Sequence, residues 1–248
     1  MKFIPSISFN VNILNIPFKT NPTRVLPKTK PIADDFTSNP ISDYYSTKTE
    51  IEMAAKSNPR IVEIMKTYEI PLQVNTEELE KLKQGHLKDT RIVAAKIYSS
   101  LPEDLKKDVD LVNLQQAAML HDYGKVLIPK TVLNKSGKLN NEECEIMKLH
   151  SELGYELLKD KGVSDKTLNL VKYHHQNPKG NGYPQKESDF EQSLELEILN
   201  AADKYTALRE QRCYKNALGK YEALQIIAKD VNNGNISQEV YTALIRCV

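Results

Sequence analysis

The chain has five histidines, at positions 86, 121, 150, 174 and 175, and two of them stand side by side in "YHHQNPKGNGYP", Tyr173 to Pro184. Stepped at about 100° per residue, each falls on or beside the apolar face of its own segment. His86 lies within the stripe of Leu79, Leu82, Val93 and Ile97, and His121 with Asp122 straddles the face of Leu111, Leu114 and Ala118. His150 shares a face with Ile146, Leu149, Leu153 and Leu157, and Asp203 with Leu196, Leu199 and Ala207. His175 continues the stripe of Leu168 and Val171, whereas His174 sits one step round at its edge. The pair therefore needs a distorted helix end if both rings are to reach one partner.

A lone inward histidine is ordinarily a core residue bonded to a carbonyl, because buried polar groups find structural partners. Seven such groups together change the reading. Two uncompensated buried carboxylates are costly, and five buried imidazoles need five separate partners. One or two divalent cations satisfy the whole set at once. Imidazole with carboxylate suits iron, manganese, nickel or zinc. Cys144, Cys213 and Cys247 are widely spaced with no CxxC pair, which argues against a cysteine zinc site and fits a reducing, cytoplasmic setting.

Helices must position these residues. Short ones are predicted over Thr47–Lys56 and Pro59–Tyr68, with Pro59 suited to a first turn. A stronger one runs from Asn75, a cap with Glu78 three residues on, to about Tyr98. Others are predicted near 110–122, 141–159, 165–175, 193–210, 218–231 and 236–247, with Asn140, Glu143 and Ser164 as capping residues. No segment reads as a central strand. The body is all-α.

Residues 1–45 differ. Six of the chain's twelve prolines lie in the first 40 residues, amid Asn, Ser and Thr and without Glu, so this stretch reads as a poorly ordered tail with one strand-like piece over Ile7–Ile13. Residues 46–74 read as short accessory helices and 75–248 as the main domain. The chain is 248 residues long, 40% hydrophobic and 27% charged, with a net charge of +1, so nothing suggests a nucleic-acid polymer or an anionic membrane as partner. No apolar run reaches the roughly 18 residues of a membrane span.

"HDYGK" at His121–Lys125 resembles the signature of the HD superfamily of metal-dependent phosphohydrolases. The run "HDYGKVLIPKTVLNKSGKLNNEECEIMKLHSELGYELL", then "HHQNPKGNGYP", then "AADKYTALREQRCYKNAL" resembles the HD-GYP branch in order and spacing, over about residues 75–231. That branch consists mostly of cyclic-di-GMP phosphodiesterases with an HD-domain helical bundle. The resemblance implies one metal held by His86, His121, Asp122 and Asp203, and a second by His150, His174 and His175, with Asp122 bridging. Some members hold a third ion through a glutamate one turn before the first histidine. Leu82 stands there, so two ions are expected, iron or manganese first and nickel or zinc as alternatives.

Hydrolysis of a cyclic dinucleotide by a hydroxide activated between two metals is the implied activity. Asp122 and Lys125 would be catalytic, Lys125 as a phosphate ligand turned inward by the helix-ending Gly124. Gly182 lets the loop approach the ligand; Tyr183 either meets a base or phosphate or packs the loop. Arg212, near Tyr214 in the second signature, either binds phosphate or braces the fold. Gln176, Lys179 and Thr206 stand where the family usually has Glu, Asp and Asp. These departures leave open another nucleotide or phosphate ester as substrate, or a non-catalytic signalling module that works with a partner or a second copy.

Overall fold

The structure of the protein, a computed structural model, describes residues 47–75, 77–78, 80–81, 85–188, 190–211 and 216–248. The expected tail over 1–45 lies outside the described residues, as do Leu79, Leu82, Arg212 and Tyr214.

Capping chemistry sets most helix starts. Thr47 and Glu50 close a reciprocal capping box on α1 (Lys48–Ser57), and Asn58 caps α2 (Pro59–Thr67) with Pro59 in its first turn. After α3 (His86–Ser100) and the short α4 (Glu103–Lys106), Asp110 caps α5 (Leu111–Leu120). A 3₁₀ turn, Tyr123–Leu127, and the short α6 (Lys130–Leu133) lead to Asn140 and Glu143, whose capping box opens α7 (Asn141–Leu158). Ser164 caps α8 (Asp165–Tyr173) and Ser193 caps α9 (Leu194–Arg209). Two further helices follow, α10 (Lys220–Asn232) and α11 (Gln238–Cys247). No strand occurs among the described residues; one antiparallel bridge joins His175 to Tyr183.

Two buried apolar clusters hold these helices together. The first gathers Ile51, Ile61, Leu87, Leu120, Tyr123, Leu153 and Val171 among others, and so ties α1 and α2 to α7, α8 and the 3₁₀ turn. The second gathers residues of α3, α5, α8, α9, α10 and α11, including Ala94, Ala118, Tyr173, Leu199 and Leu244. Each fully buried leucine in them contributes about 1.5–3 kcal/mol. Helices α5 and α8 belong to both: Leu120 and Val171 face the first cluster, Ala118 and Tyr173 the second. The residues that follow Leu120 and Tyr173 in the chain are His121 and His174. Both helices thus deliver a histidine to the seam between the clusters.

Three expected boundaries shift. The single helix from Asn75 to Tyr98 is interrupted: Asn75 does accept the Glu78 N–H at 3.2 Å, but Gly85 leaves helical geometry (φ −138°, ψ −94°) and α3 begins at His86. His86 is therefore a first-turn residue and not the middle of a long stripe. The segment 110–122 stops at Leu120, where the chain tightens into the 3₁₀ turn. The segment 165–175 stops at Tyr173, with His174 still near helical angles (φ −61°, ψ −11°) and His175 beyond.

Gly124 lies inside the 3₁₀ turn, so its requirement is not the helix-ending one that the sequence suggests. A Cβ on it would lie 2.0 Å from the His150 carbonyl oxygen and 2.4 Å from the Gly154 nitrogen. The absent side chain lets the turn that carries Asp122 and Lys125 press against the helix that carries His150. Gly124→Ala must push these apart, and overpacking of this kind costs about 1–3 kcal/mol. Thermal unfolding of that variant should show a midpoint lowered by about 3–10 °C.

Candidate metal centre

Each imidazole is aimed by its own backbone. His121 Nδ1 lies 3.0 Å from the Ala118 carbonyl, His150 Nδ1 2.6 Å from that of Met147, and His174 Nδ1 2.8 Å from that of Val171. A carbonyl can only accept, so Nδ1 carries the proton in all three rings and Nε2 points away from the helix. The three Nε2 atoms converge on Asp122, which is itself buried at 1% exposure.

Two donor sets form there: Asp122, His150, His174 and His175 in one, and His86, His121 and Asp203 in the other, with the ligand atoms of each set within 4.8 Å of one another. Asp122 faces both. Its Oδ1 lies 3.3 Å from His150 Nε2 and 3.9 Å from His174 Nε2, and its Oδ2 lies 3.6 Å from His121 Nε2 and 3.8 Å from His86 Nε2. Asp203 Oδ1 is 2.9 Å from His86 Nε2 and 3.6 Å from His121 Nε2. Lys125 reaches Asp122 Oδ2 at 2.5 Å from the 3₁₀ turn.

Burial strips hydration from the rings and pushes His150 down to about 3 and His175 to about 4, and it takes His174 well below the usual histidine value. Burial also lowers His121, but the Asp122 charge and the Asp203 carboxylate outweigh it and the net shift is upward. Burial would raise the two carboxylates, yet Lys125 and the histidines hold Asp122, and His121 and His86 hold Asp203, well below the carboxylate range.

These residues fit a cation. His150 Nε2 and His174 Nε2 lie 3.2 Å apart, and with both protons committed to Nδ1 neither nitrogen can donate to the other. Two lone pairs at that distance repel unless something positive is shared between them. His121 Nε2 is buried with no hydrogen-bond partner among the described residues. The donors are nitrogen and oxygen without sulfur, which suits a divalent transition metal.

The HD domain family matches residues 60–240. The chain belongs to the HD domain family. Within that family it is of the HD-GYP type. It is 31% identical over 149 residues to cyclic di-GMP phosphodiesterase PA4108 of Pseudomonas aeruginosa, a match covering 60% of this chain and 34% of that protein. It is also 31% identical to 3'3'-cGAMP-specific phosphodiesterase 3 of Vibrio cholerae, over 55% of this chain and 30% of the relative. This HD domain protein thus spans about a third of the length of these curated relatives. Its fold resembles that of Bd1817, an HDG"Y"P protein from Bdellovibrio bacteriovorus, with a TM-score of 0.52 and 15% identity over 83% of this chain and 66% of the other.

Every sequence-predicted metal residue of the HD domain lies in one of the two sets, though the adjacent histidines exchange roles. His174 is the deeper ring, 1% exposed and tied to its own helix, while His175 lies half-buried past the helix end, its ring 4.6 Å from that of Tyr183. Burial pushes the Tyr183 phenol upward, so it is a neutral hydroxyl. Arg212 lies outside the described residues.

Two contacts went unread in the sequence. Glu210 Oε2 lies 3.5 Å from His86 Nδ1, behind the ring; it follows Asp203 by seven residues, a helical repeat that could have signalled it. Thr206 pairs with Thr90 through their buried hydroxyls at 2.8 Å, which joins α9 to α3 where the family usually has an aspartate.

The raised His121 means that a proton competes with a cation for the His86, His121 and Asp203 set, whereas His150 and His175 are proton-free above about 4. Divalent-ion affinity of the first set should therefore rise as pH rises through and above the ordinary histidine range, with release of a proton on binding, and that of the second should stay flat above about pH 5. Calorimetric titration with manganese in buffers of different ionisation enthalpy measures both.

Proposed function

We propose that the protein is a metal-dependent phosphodiesterase that opens a cyclic dinucleotide, cyclic-di-GMP first among them. The observation that carries this reading is the split of Asp122: one carboxylate oxygen faces each donor set, the arrangement a pair of cations would share. His86, His121 and Asp203 with one Asp122 oxygen would hold the first ion, and His150, His174 and His175 with the other oxygen the second. Iron or manganese suits this nitrogen-rich set, with nickel or zinc as alternatives. When bound, such ions supply an acidified water and neutralise phosphate charge.

The chain's own residues do the rest. His150, His174 and His175, which burial holds below the usual histidine value, present their ring lone pairs without first losing a proton to solvent, so that half of the site is assembled before substrate arrives. Lys125 holds its ammonium at the Asp122 edge, where it meets a non-bridging phosphate oxygen in a charge-assisted bond. Tyr183, as a neutral phenol beside His175, offers a ring face to a base or a hydroxyl to phosphate. Residues 75–248 would form the catalytic domain, with α1 and α2 as accessory helices, in a cytoplasmic protein.

Gln176, Lys179 and Thr206 support a second substrate reading, another cyclic dinucleotide or phosphate ester, because they remove acidic groups that the family usually has. Protein loaded with manganese or iron under nitrogen should convert cyclic-di-GMP to a linear product faster than 3'3'-cGAMP or bis(p-nitrophenyl) phosphate. Preference for either of the others selects the second reading, and turnover of none by metal-loaded protein refutes the enzyme. Asp122→Ala should lose bound metal and lower turnover at least about a hundredfold.

A further inference from the structure

Gln176 follows the paired histidines and is buried at 1% exposure. Its Nε2 donates to the Pro184 carbonyl at 2.7 Å, and its Oε1 accepts the N–H groups of Asn177 at 3.0 Å and Gly182 at 2.9 Å. Only one orientation of the amide satisfies two donors and one carbonyl, so the oxygen and nitrogen are assigned by their partners. The Gln176 carbonyl in turn accepts from Asn200 Nδ2 at 2.8 Å, which anchors the hub to α9. Gly182 sits so close that a Cβ on it would lie 2.0 Å from the His175 carbonyl oxygen and 2.9 Å from Gln176 Oε1.

Gly182 and Pro184 flank Tyr183. One side chain therefore grips the loop on both sides of the tyrosine whose ring lies 4.6 Å from that of His175. A carboxylate of the same shape could accept from Asn177 and Gly182, but it has no hydrogen to give Pro184. We propose that Gln176 is a positioning residue, which fixes Tyr183 as a preformed wall for the substrate and requires an amide to do so. This rests on the phosphodiesterase reading for the word substrate, but not for the anchoring itself.

Hydrogen exchange by mass spectrometry tests the anchoring without any substrate. Gln176→Glu and Gln176→Met should speed exchange in residues 177–185 and leave α7 and α9 unchanged, with the wild-type metal content retained. Steady-state kinetics test the consequence: Gln176→Glu should raise KM for cyclic-di-GMP about tenfold, with a smaller change in kcat. In a Tyr183→Ala background the same substitution should add almost nothing, because the two act through one contact. Unchanged loop exchange overturns the proposal, as does a KM rise of equal size in the Tyr183→Ala background. If the wild type hydrolyses no cyclic dinucleotide, the functional reading fails, and the exchange result still decides whether Gln176 anchors the loop.

Discussion

Asp122 is a carboxylate with almost no exposure to water, and the rest of the helical arrangement answers to it. Removing such a charge from solvent costs several kcal/mol unless charge and hydrogen bonds replace the lost hydration. Lys125 supplies part of that from the adjacent turn. The remainder of its surroundings consists of imidazole nitrogens delivered by α3, α5, α7 and α8, with Asp203 of α9 on the far side of one set. Only part of this set compensates itself, as where His86 Nε2 meets Asp203 Oδ1 at 2.9 Å. The facing Nε2 lone pairs of His150 and His174 do not, and they settle into a stable core only in company with positive charge, in the polar seam between the two apolar clusters.

The seam is built with little reliance on long-range side-chain bonds. Three rings are fixed by carbonyls three residues earlier in their own chain, so each ligand arrives with its tautomer and direction already set by the helix that carries it. What the tertiary fold must then supply is helix placement to within a fraction of an ångström. Gly124 against the His150 carbonyl is one device for this, because a turn without a side chain can approach the neighbouring helix to backbone contact. The precision of the ligand set is a packing property before it is an electrostatic one.

Much of this is legible in the sequence, and the reasons are local. The capping box at Asn140 and the caps at Asn75 and Ser164 are short-range hydrogen bonds between residues three apart, so sequence spacing suffices to find them. The inward faces of His150 and Asp203 follow from helical period alone. The period misleads where a helix ends. Gly85 resets the phase before His86, and the last turn of α8 carries His174 into the core while His175 leaves the helix, the reverse of what an extrapolated stripe gives. Gln176 is harder still. Its significance lies in which backbone groups happen to face it, and a hydrogen bond from residue 176 to residue 184 across a glycine turn leaves no periodic trace.

Charge balance connects the ligand set to the proposed chemistry. Five of the seven donors are imidazoles, which bind a cation in their neutral form, and only two are carboxylates. On the two-cation reading, a pair of divalent ions would therefore keep roughly half of its charge unneutralised by the ligands, with the Lys125 ammonium beside it. A cage richer in carboxylates would bind the same ions more tightly but would present little field to an anion. Gln176 and Thr206 fit this balance: each meets its hydrogen bonds as a neutral group, through an amide that grips a loop and a hydroxyl that joins two helices, at positions the family usually fills with acids. On that reading the neutral residues around the centre would leave it electropositive, which is what a phosphodiester anion approached by a second anion would require.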